Sequence, residues 1–263
     1  MTVKIIYNSV IRPLIRRCGI DIIKYRSKGV RKRTKMYPRD FTEHHRNTCD
    51  LVKPYTGTGP ERVKALLDSV EYIVANKIDG AIVECGVWRG GSTMAMAFAL
   101  IKASDETRDL YLYDTFAGMS KPTDVDISVY GDNACKTFPE TMISEDASSW
   151  CLATLEDVKQ NVFSTGYPKE KFHFIKGKVE NTIPANIPKS IALLRLDTDW
   201  YESTKHELKH LFPLLKPNGI LIIDDYGHWE GARKAVDEYI DENKLIILLN
   251  RIDYTGRIAV KTK

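Results

Sequence analysis

The sequence predicts an α/β protein built on a doubly wound, mostly parallel sheet, and three observations carry that expectation. From residue 60 onward helical and strand patterns alternate. The strand candidates are short apolar runs of the kind that lie buried on both faces, and the crossovers between them run to ~20 residues, enough to carry the chain back to start a parallel neighbour. With 263 residues the chain can bury one large α/β domain with additions. In such a sheet ligands sit beyond the carboxyl ends of the strands.

The first helix is expected over residues 60–77, PERVKALLDSVEYIVANK, where Pro60 suits a helix N-terminus and Val63, Leu66, Leu67, Val70, Ile73 and Val74 recur at helical spacing. AIVEC (81–85) is a strand, GSTMAMAFALIKAS (91–104) a helix with a small apolar face, and LYLYD (110–114) a strand ending in an acid. From Thr115 to Ser149 the sequence is irregular and rich in Asp, Thr and Ser. A loop of that length inside a domain is expected to be a lid, about residues 115–150, with Glu140 and Glu145 as candidate substrate contacts. A helix at 152–166 follows, then strands at 172–177 and 191–197 and a helix at 201–215 closed by Pro213 and KPNG. Strand ILIIDD (220–225), a helix at 231–243, strand LIILLN (245–250) and a last strand GRIAVKT complete the pattern.

Charge divides the chain. Residues 1–40 hold 12 Lys and Arg against 2 acids, so the head is about +10 and the remainder about −6. The head is expected to be a basic helical extension over residues 1–50, ahead of a domain at 51–263. It suits peripheral contact with an anionic membrane, where each basic residue contributes about 1 kcal/mol. The alternative is a solvated arm packed on the body or on a partner subunit of a homo-oligomer. Nucleic acid is not an expected partner, because the head lacks interleaved aromatics. No stretch reaches the ~18 to 20 apolar residues of a membrane span, and Arg12, Arg16 and Arg17 interrupt any signal-peptide core. Five cysteines without a CxxC pair argue against a disulfide framework, so a cytoplasmic setting is expected, peripheral at the inner membrane face if the head binds lipid.

The chemistry gathers at the strand ends. AIVEC runs through ECGVWRGGS directly into a helix. Gly86 allows a tight turn, Gly90 and Gly91 allow backbone to approach a ligand, and the helix N-terminus after Ser92 offers free N–H groups. Asp114, at the end of the second strand, can accept from both hydroxyls of a ribose, and with Glu84 it suits a nucleoside cofactor bearing an amino-acid tail. Arg89 beside a pyrophosphate keeps an NAD-dependent sugar oxidoreductase open, and a non-catalytic nucleotide-binding module would keep the same fold.

IALLRLD delivers Asp197 to a strand end, with Asp199 two residues on, and ILIIDD delivers Asp224 and Asp225 to the next. Neighbouring strand ends lie ~4.8 Å apart, so these acids converge. Three carboxylates need compensation, and a hard divalent cation, Mg²⁺ in preference to zinc, is the simplest. Pairing with Arg195 or lysines, or capping of the next helices, is the alternative, and Asp199 suits a helix N-terminus. HELKH (206–210) matches HExxH, but Leu208 and Leu211 must face the sheet, which turns both histidines away from any shared site.

Through VECGVWRGGS, YLYDTFAGM, LRLDTDWYEST and IIDDYGHWEGARKAVDEY, with PERVKALL before them, the chain resembles the macrocin O-methyltransferase (TylF) family of class I S-adenosyl-L-methionine-dependent methyltransferases over roughly residues 50–260. The resemblance implies a Rossmann-like fold and Mg²⁺-dependent methyl transfer to a sugar hydroxyl of a glycosyl acceptor. It implies Asp197, Asp224 and Asp225 as metal ligands, Asp197 also as base, and Glu84, Gly86, Gly90, Ser92 and Asp114 on the cofactor. His228 is a second catalytic candidate, as base or substrate-orienting group, or else a cap of the following helix. Trp88, Trp200 and Trp229 are candidates for stacking on a sugar or adenine, with core packing as the alternative. The basic head points to a membrane-proximal acceptor such as a lipid-linked saccharide of a surface polymer.

Overall fold

The structure is a computed structural model in which residues 37–144 and 147–262 are described; the chain divides into units Met1–Pro38 and Arg39–Lys263. The basic head, with its expected helix and membrane contact, lies outside the described residues, as does Glu145. The boundary expected at 50/51 falls inside helix α1, Glu43–Val52, which Thr42 opens with a reciprocal capping box to His45.

Helix α2 (Pro60–Ala75) turns Val63, Leu66, Leu67, Val70 and Ile73 inward, as its spacing requires. It ends two residues early because Lys77 takes a left-handed φ of 53°. Strand β1 (Ala81–Cys85), helix α3 (Gly91–Lys102) and strand β2 (Leu110–Asp114) follow. The alanines of α3 are buried, which lets α2 and α3 pack closely over the sheet. The lid stretch holds a helix α4 (Ala134–Thr141) and short strands β3 (Met142–Ser144) and β4 (Ala147–Ser148). It is tied down by Met119 N–H to the Trp150 carbonyl (2.9 Å) and by Val129 N–H to the His228 carbonyl (2.7 Å). Glu140 is exposed on α4.

Helix α5 (Leu155–Phe163), strand β5 (Phe172–Lys176), the single turn α6 (Val179–Thr182), strand β6 (Ile191–Leu196) and helix α7 (Tyr201–Leu211) continue the alternation. Strand β7 (Leu215–Ile223) starts earlier than expected, because KPNG is drawn into it across a register shift against β6. Helix α8 (Glu230–Glu242) leads to β8 (Asn250–Arg251) and β9 (Arg257–Val260). The strand expected at 245–250 is thus a correction: only its last residue enters the ladder, and 245–249 form no strand.

The seven-stranded sheet has the order β5-β2-β1-β6-β7-β9-β8. All neighbours are parallel up to β7, and β9 and β8 are added antiparallel. Val83, Leu194, Leu196, Leu221 and Ile223 form one core with Leu208 and Leu211 of α7 and Val236 of α8. The chain crosses to the other side of its starting point between β1 and β6, and there the sheet opens to a ligand. No helix among the described residues is long and apolar enough to cross a membrane.

Candidate active site

Gly86 follows β1 with φ +81°, and a Cβ on it would lie 1.9 Å from the Asp197 carbonyl oxygen. Only glycine lets the ends of β1 and β6 come this close. The turn is held by Asp114 at the end of β2, whose Oδ2 accepts from Val87 N–H (2.7 Å) and Trp88 N–H (3.0 Å) and whose Oδ1 accepts from Phe116 N–H (2.7 Å). The Thr115 hydroxyl adds a longer contact to Oδ1 (3.4 Å), so a ribose hydroxyl would compete with the weakest of about four donors. Burial raises its pKa, against the pull of those N–H groups.

Two clefts open here and share Gly86, Asp114, Gly118, Met119 and Asp197. One extends along Thr115, Gly177 and Lys178; the other along Thr58, Arg62, Trp88, Ser92, Asp224 and Asp225. Ser92 lies 3.3 Å from the Thr58 hydroxyl on the second wall. Two of the expected cofactor residues are elsewhere. Gly90 lines neither cleft; a Cβ on it would meet Val162 of α5 at 2.9 Å, so its glycine serves helix packing. Glu84 is fully buried behind the cleft wall, accepting from Thr93 and from Arg195 Nη1. Its register opposite Arg195 on β6 explains the pairing, and Glu84 braces that arginine.

Arg195 organises the acidic end. Its side chain is 1% exposed and lies 2.7 Å from Asp197 Oδ2 and 2.8 Å from Asp224 Oδ1, with Nη2 donating to Thr58. Backbone bonds from Asp197 N–H to the Cys85 carbonyl and from Asp224 N–H to the Leu196 carbonyl fix where the two acids leave the sheet. One ligand oxygen or more from each of Asp197, Asp224 and Asp225 falls within 4.8 Å of the others. Arg62 of α2 reaches over this cluster, with Nη1 on Asp224 Oδ2 and Nε 3.0 Å from Asp253. Burial raises the pKa of Asp197 and raises that of Asp225 well above its ordinary value; Arg195 opposes this at both, and Asp199 and Asp197 add to it at Asp225.

The residues fit a hard divalent cation. The donors are oxygen only, carboxylates outnumber the two guanidiniums, and Asp224 Oδ1 is buried with no aligned hydrogen-bond donor although Arg195 is near. Among the described residues His45, Asp68 and Glu71 also approach one another, but Lys64 (2.6 Å) and Lys102 (2.5 Å) already pair with these carboxylates.

Other candidates resolve differently. Asp199 sits at φ +66° and accepts from the Trp229 indole N–H (2.6 Å), with burial raising its pKa to about 7. The helix N-terminus expected for it is served by Asp126, which accepts from Tyr201 N–H at 2.8 Å. Trp200 and Trp229 are buried with Trp150 in an edge-to-face cluster, so both pack; Trp88 lines the cleft. His228 lines neither cleft and does not cap α8; its Nδ1 lies 3.3 Å from Tyr254 Oη, and burial lowers its pKa. In the HELKH stretch the His206 and His210 rings lie 4.5 Å apart, but His206 meets the Ile183 carbonyl (2.9 Å), Glu207 is buried against Thr198 (2.9 Å), and among the described residues no third metal-ligating side chain joins the two histidines. Sequence reasoning missed Arg62, Asp126 and Asp253, which lack any local signature.

A pocket walled by backbone beside one walled by carboxylates, at the switch point of a doubly wound sheet, is the arrangement of the Rossmann-like, S-adenosylmethionine-dependent O-methyltransferases. The Macrocin-O-methyltransferase (TylF) family model matches residues 8–260, reaching back over most of the basic head. The chain is 32% identical over 208 residues to the 8-demethyl-8-(2,3-dimethoxy-alpha-L-rhamnosyl)-tetracenomycin-C 4'-O-methyltransferase of Streptomyces olivaceus, covering 77% of this chain and 74% of that one. It is 32% identical over 203 residues to the mycinamicin III 3''-O-methyltransferase of Micromonospora griseorubida, covering 77% and 76%. The structure of the O-methyltransferase NovP matches with a TM-score of 0.68 at 29% identity, over 80% of this chain and 83% of NovP. The chain belongs to the macrocin O-methyltransferase family and is an O-methyltransferase. The oxidoreductase and the non-catalytic module fall with that membership, and Arg89 is engaged by Asp157 (2.9 Å) and the Pro54 carbonyl (3.0 Å).

Proposed function

We propose that this enzyme methylates a sugar hydroxyl in a Mg²⁺-dependent reaction, with Asp197 as general base. The observation that carries the reading is the convergence of Asp197, Asp224 and Asp225 beside the glycine turn, in a cleft common to both. The Streptomyces olivaceus relative acts, by its name, on a rhamnosyl-bearing compound, which supports a glycosyl acceptor.

Asp197, Asp224 and Asp225 would hold the cation, which supplies Lewis acidity that makes an alcohol proton easier to remove. Asp197 is the most open of the three, its side chain 25% exposed against 3% for Asp224, so it is the one to take the acceptor's proton as the new C–O bond forms and the S–C bond breaks. The Gly86 turn and Asp114 orient the methyl donor, and alignment rather than covalent help lowers the barrier. Trp88 and Met119 wall the cleft and limit water around the reacting atoms. His228 is outside both clefts and has no proton-transfer role in this scheme.

Asp224→Ala is expected to abolish turnover while S-adenosylmethionine affinity stays within about twofold, and EDTA is expected to do the same reversibly. Full turnover in EDTA would remove the metal from the scheme. The basic residues 1–40 favour an acceptor at an anionic surface, such as a lipid-linked saccharide. A methyl-transfer screen of nucleotide sugars against lipid-linked saccharides tests that choice directly.

A further inference from the structure

The outer edge of the sheet is unfinished. Residues 245–249 leave α8 as an extended segment with alternating burial, Leu245, Ile247 and Leu249 packing on the core. Ile246 is 95% exposed and Leu248 74%, and among the described residues no backbone hydrogen bond reaches residues 246–249. The segment joins β9 only at Asn250 and Arg251 and splays from it further back, leaving a groove lined by Phe212, Lys244, Ile246 and Lys261. A free edge of this kind is a template for another strand, and proteins that keep edges unpaired blunt them with lysine, proline or a bulge. Between Lys244 and Asn250 there is neither lysine nor proline.

We propose that residues 245–249 pair antiparallel with the same residues of a second copy, across a two-fold axis at Ile247, joining two seven-stranded sheets into one. Self-complementarity selects this occupant and this register. In an antiparallel pair, residues directly opposite share a face, so a register centred on Ile247 sets Ile246 against Leu248 on the outer face and Leu245 against Leu249 on the core face. It sets Lys244 against Asn250, so no like charges meet. Centring one residue earlier would put Lys244 against Leu248, and centring one residue later would put Leu245 against Arg251. The contact is isologous and closed, which limits it to a dimer. β8 lies beyond β9 and β7, so pairing there leaves the clefts at the ends of β1, β6 and β7 open. Five residues a side make a small interface, and the dimer should dissociate on dilution.

Sedimentation equilibrium of the full chain from about 1 to about 100 μM is expected to show a monomer becoming a dimer. The pair I246K/L248K should remain monomeric throughout, as should I246E/L248E, because like charges would then face across the axis; an equimolar mixture of the two should dimerise again. Both positions are exposed, and an unchanged thermal midpoint and S-adenosylmethionine affinity would establish that the variants fold. Amide exchange at residues 246–249 should slow as concentration rises. A monomer across the whole range overturns the proposal, and so does a dimer indifferent to the substitutions. Protection of these amides that does not depend on concentration would mean that the chain covers its own edge, and also overturns it.

Discussion

The two ends of the cleft are built on different physics. At the Gly86 end the walls are backbone: a left-handed glycine, the N–H groups of Val87 and Trp88 drawn onto Asp114, and the start of α3. At the Asp197 end they are side chains of opposite charge, with Arg195 and Arg62 set among the acids. The first end is defined by shape, so it should tolerate changes of charge and fail when a single methyl group is added. The second is defined by a balance of charge, so it should survive small changes of volume and respond to pH, cations and neutralised partners.

The largest expected effect falls on the backbone end. Gly86→Ala forces a Cβ against the Asp197 carbonyl in a left-handed conformation, and a loss of about 4 kcal/mol, or roughly 10 °C in thermal midpoint, should follow together with lost cofactor binding. A variant that melts within about 2 °C of the parent would show that the strand ends can separate, and would erase the contrast.

At the charged end Arg62 holds one oxygen of Asp224 while the other is left without an aligned donor, the relation expected of an outer partner that orients a metal ligand. Arg62→Met is expected to weaken Mn²⁺ or Mg²⁺ binding by about tenfold or more in calorimetry, with Arg62→Lys recovering part of the loss and cofactor affinity unmoved. Unchanged cation affinity in Arg62→Met would reduce this arginine to a surface tether between α2 and Asp253.

The smallest effect sharpens the comparison through pH. Burial lifts Glu84 from 4.5 to about 7 against the pull of Arg195 and Thr93. Its folded form therefore binds a proton more tightly than the unfolded chain, so its contribution to stability is complete below about pH 4.5 and is lost as pH rises through about 7. Asp114, Asp197, Asp225 and Glu207, all raised by burial, act in the same sense. Without added metal the midpoint should fall by a few degrees between about pH 5 and pH 8, and Glu84→Gln should flatten part of that slope.

Much of this arrangement is legible in the sequence, and the reasons are local. β1, β2, β6 and β7 announce themselves as apolar runs, and because those runs end in Asp114, Asp197 and Asp224, the positions of the acids follow from the strand pattern. Arg62 and Asp253 are invisible by comparison, since they meet across 191 residues, and the helical spacing around Arg62 places its apolar neighbours without saying what a polar residue between them reaches. At Gly90 the sequence does not distinguish a turn opened for a ligand from one opened for a neighbouring helix, and at Glu84 it does not show that Arg195 stands opposite on the next strand. Residues 245–249 carry strand-like alternation, yet a strand also needs a neighbour, and within this chain the neighbour reaches only Asn250 and Arg251.

Arg195 has one further consequence. Because a guanidinium already stands inside the sheet among Glu84, Asp197 and Asp224, the repulsion between these acids is answered by the polypeptide itself. Under the proposed Mg²⁺ scheme, a newly made chain can therefore reach its native shape before it meets any ion, and scarcity of metal would silence the enzyme without sending it to the proteases.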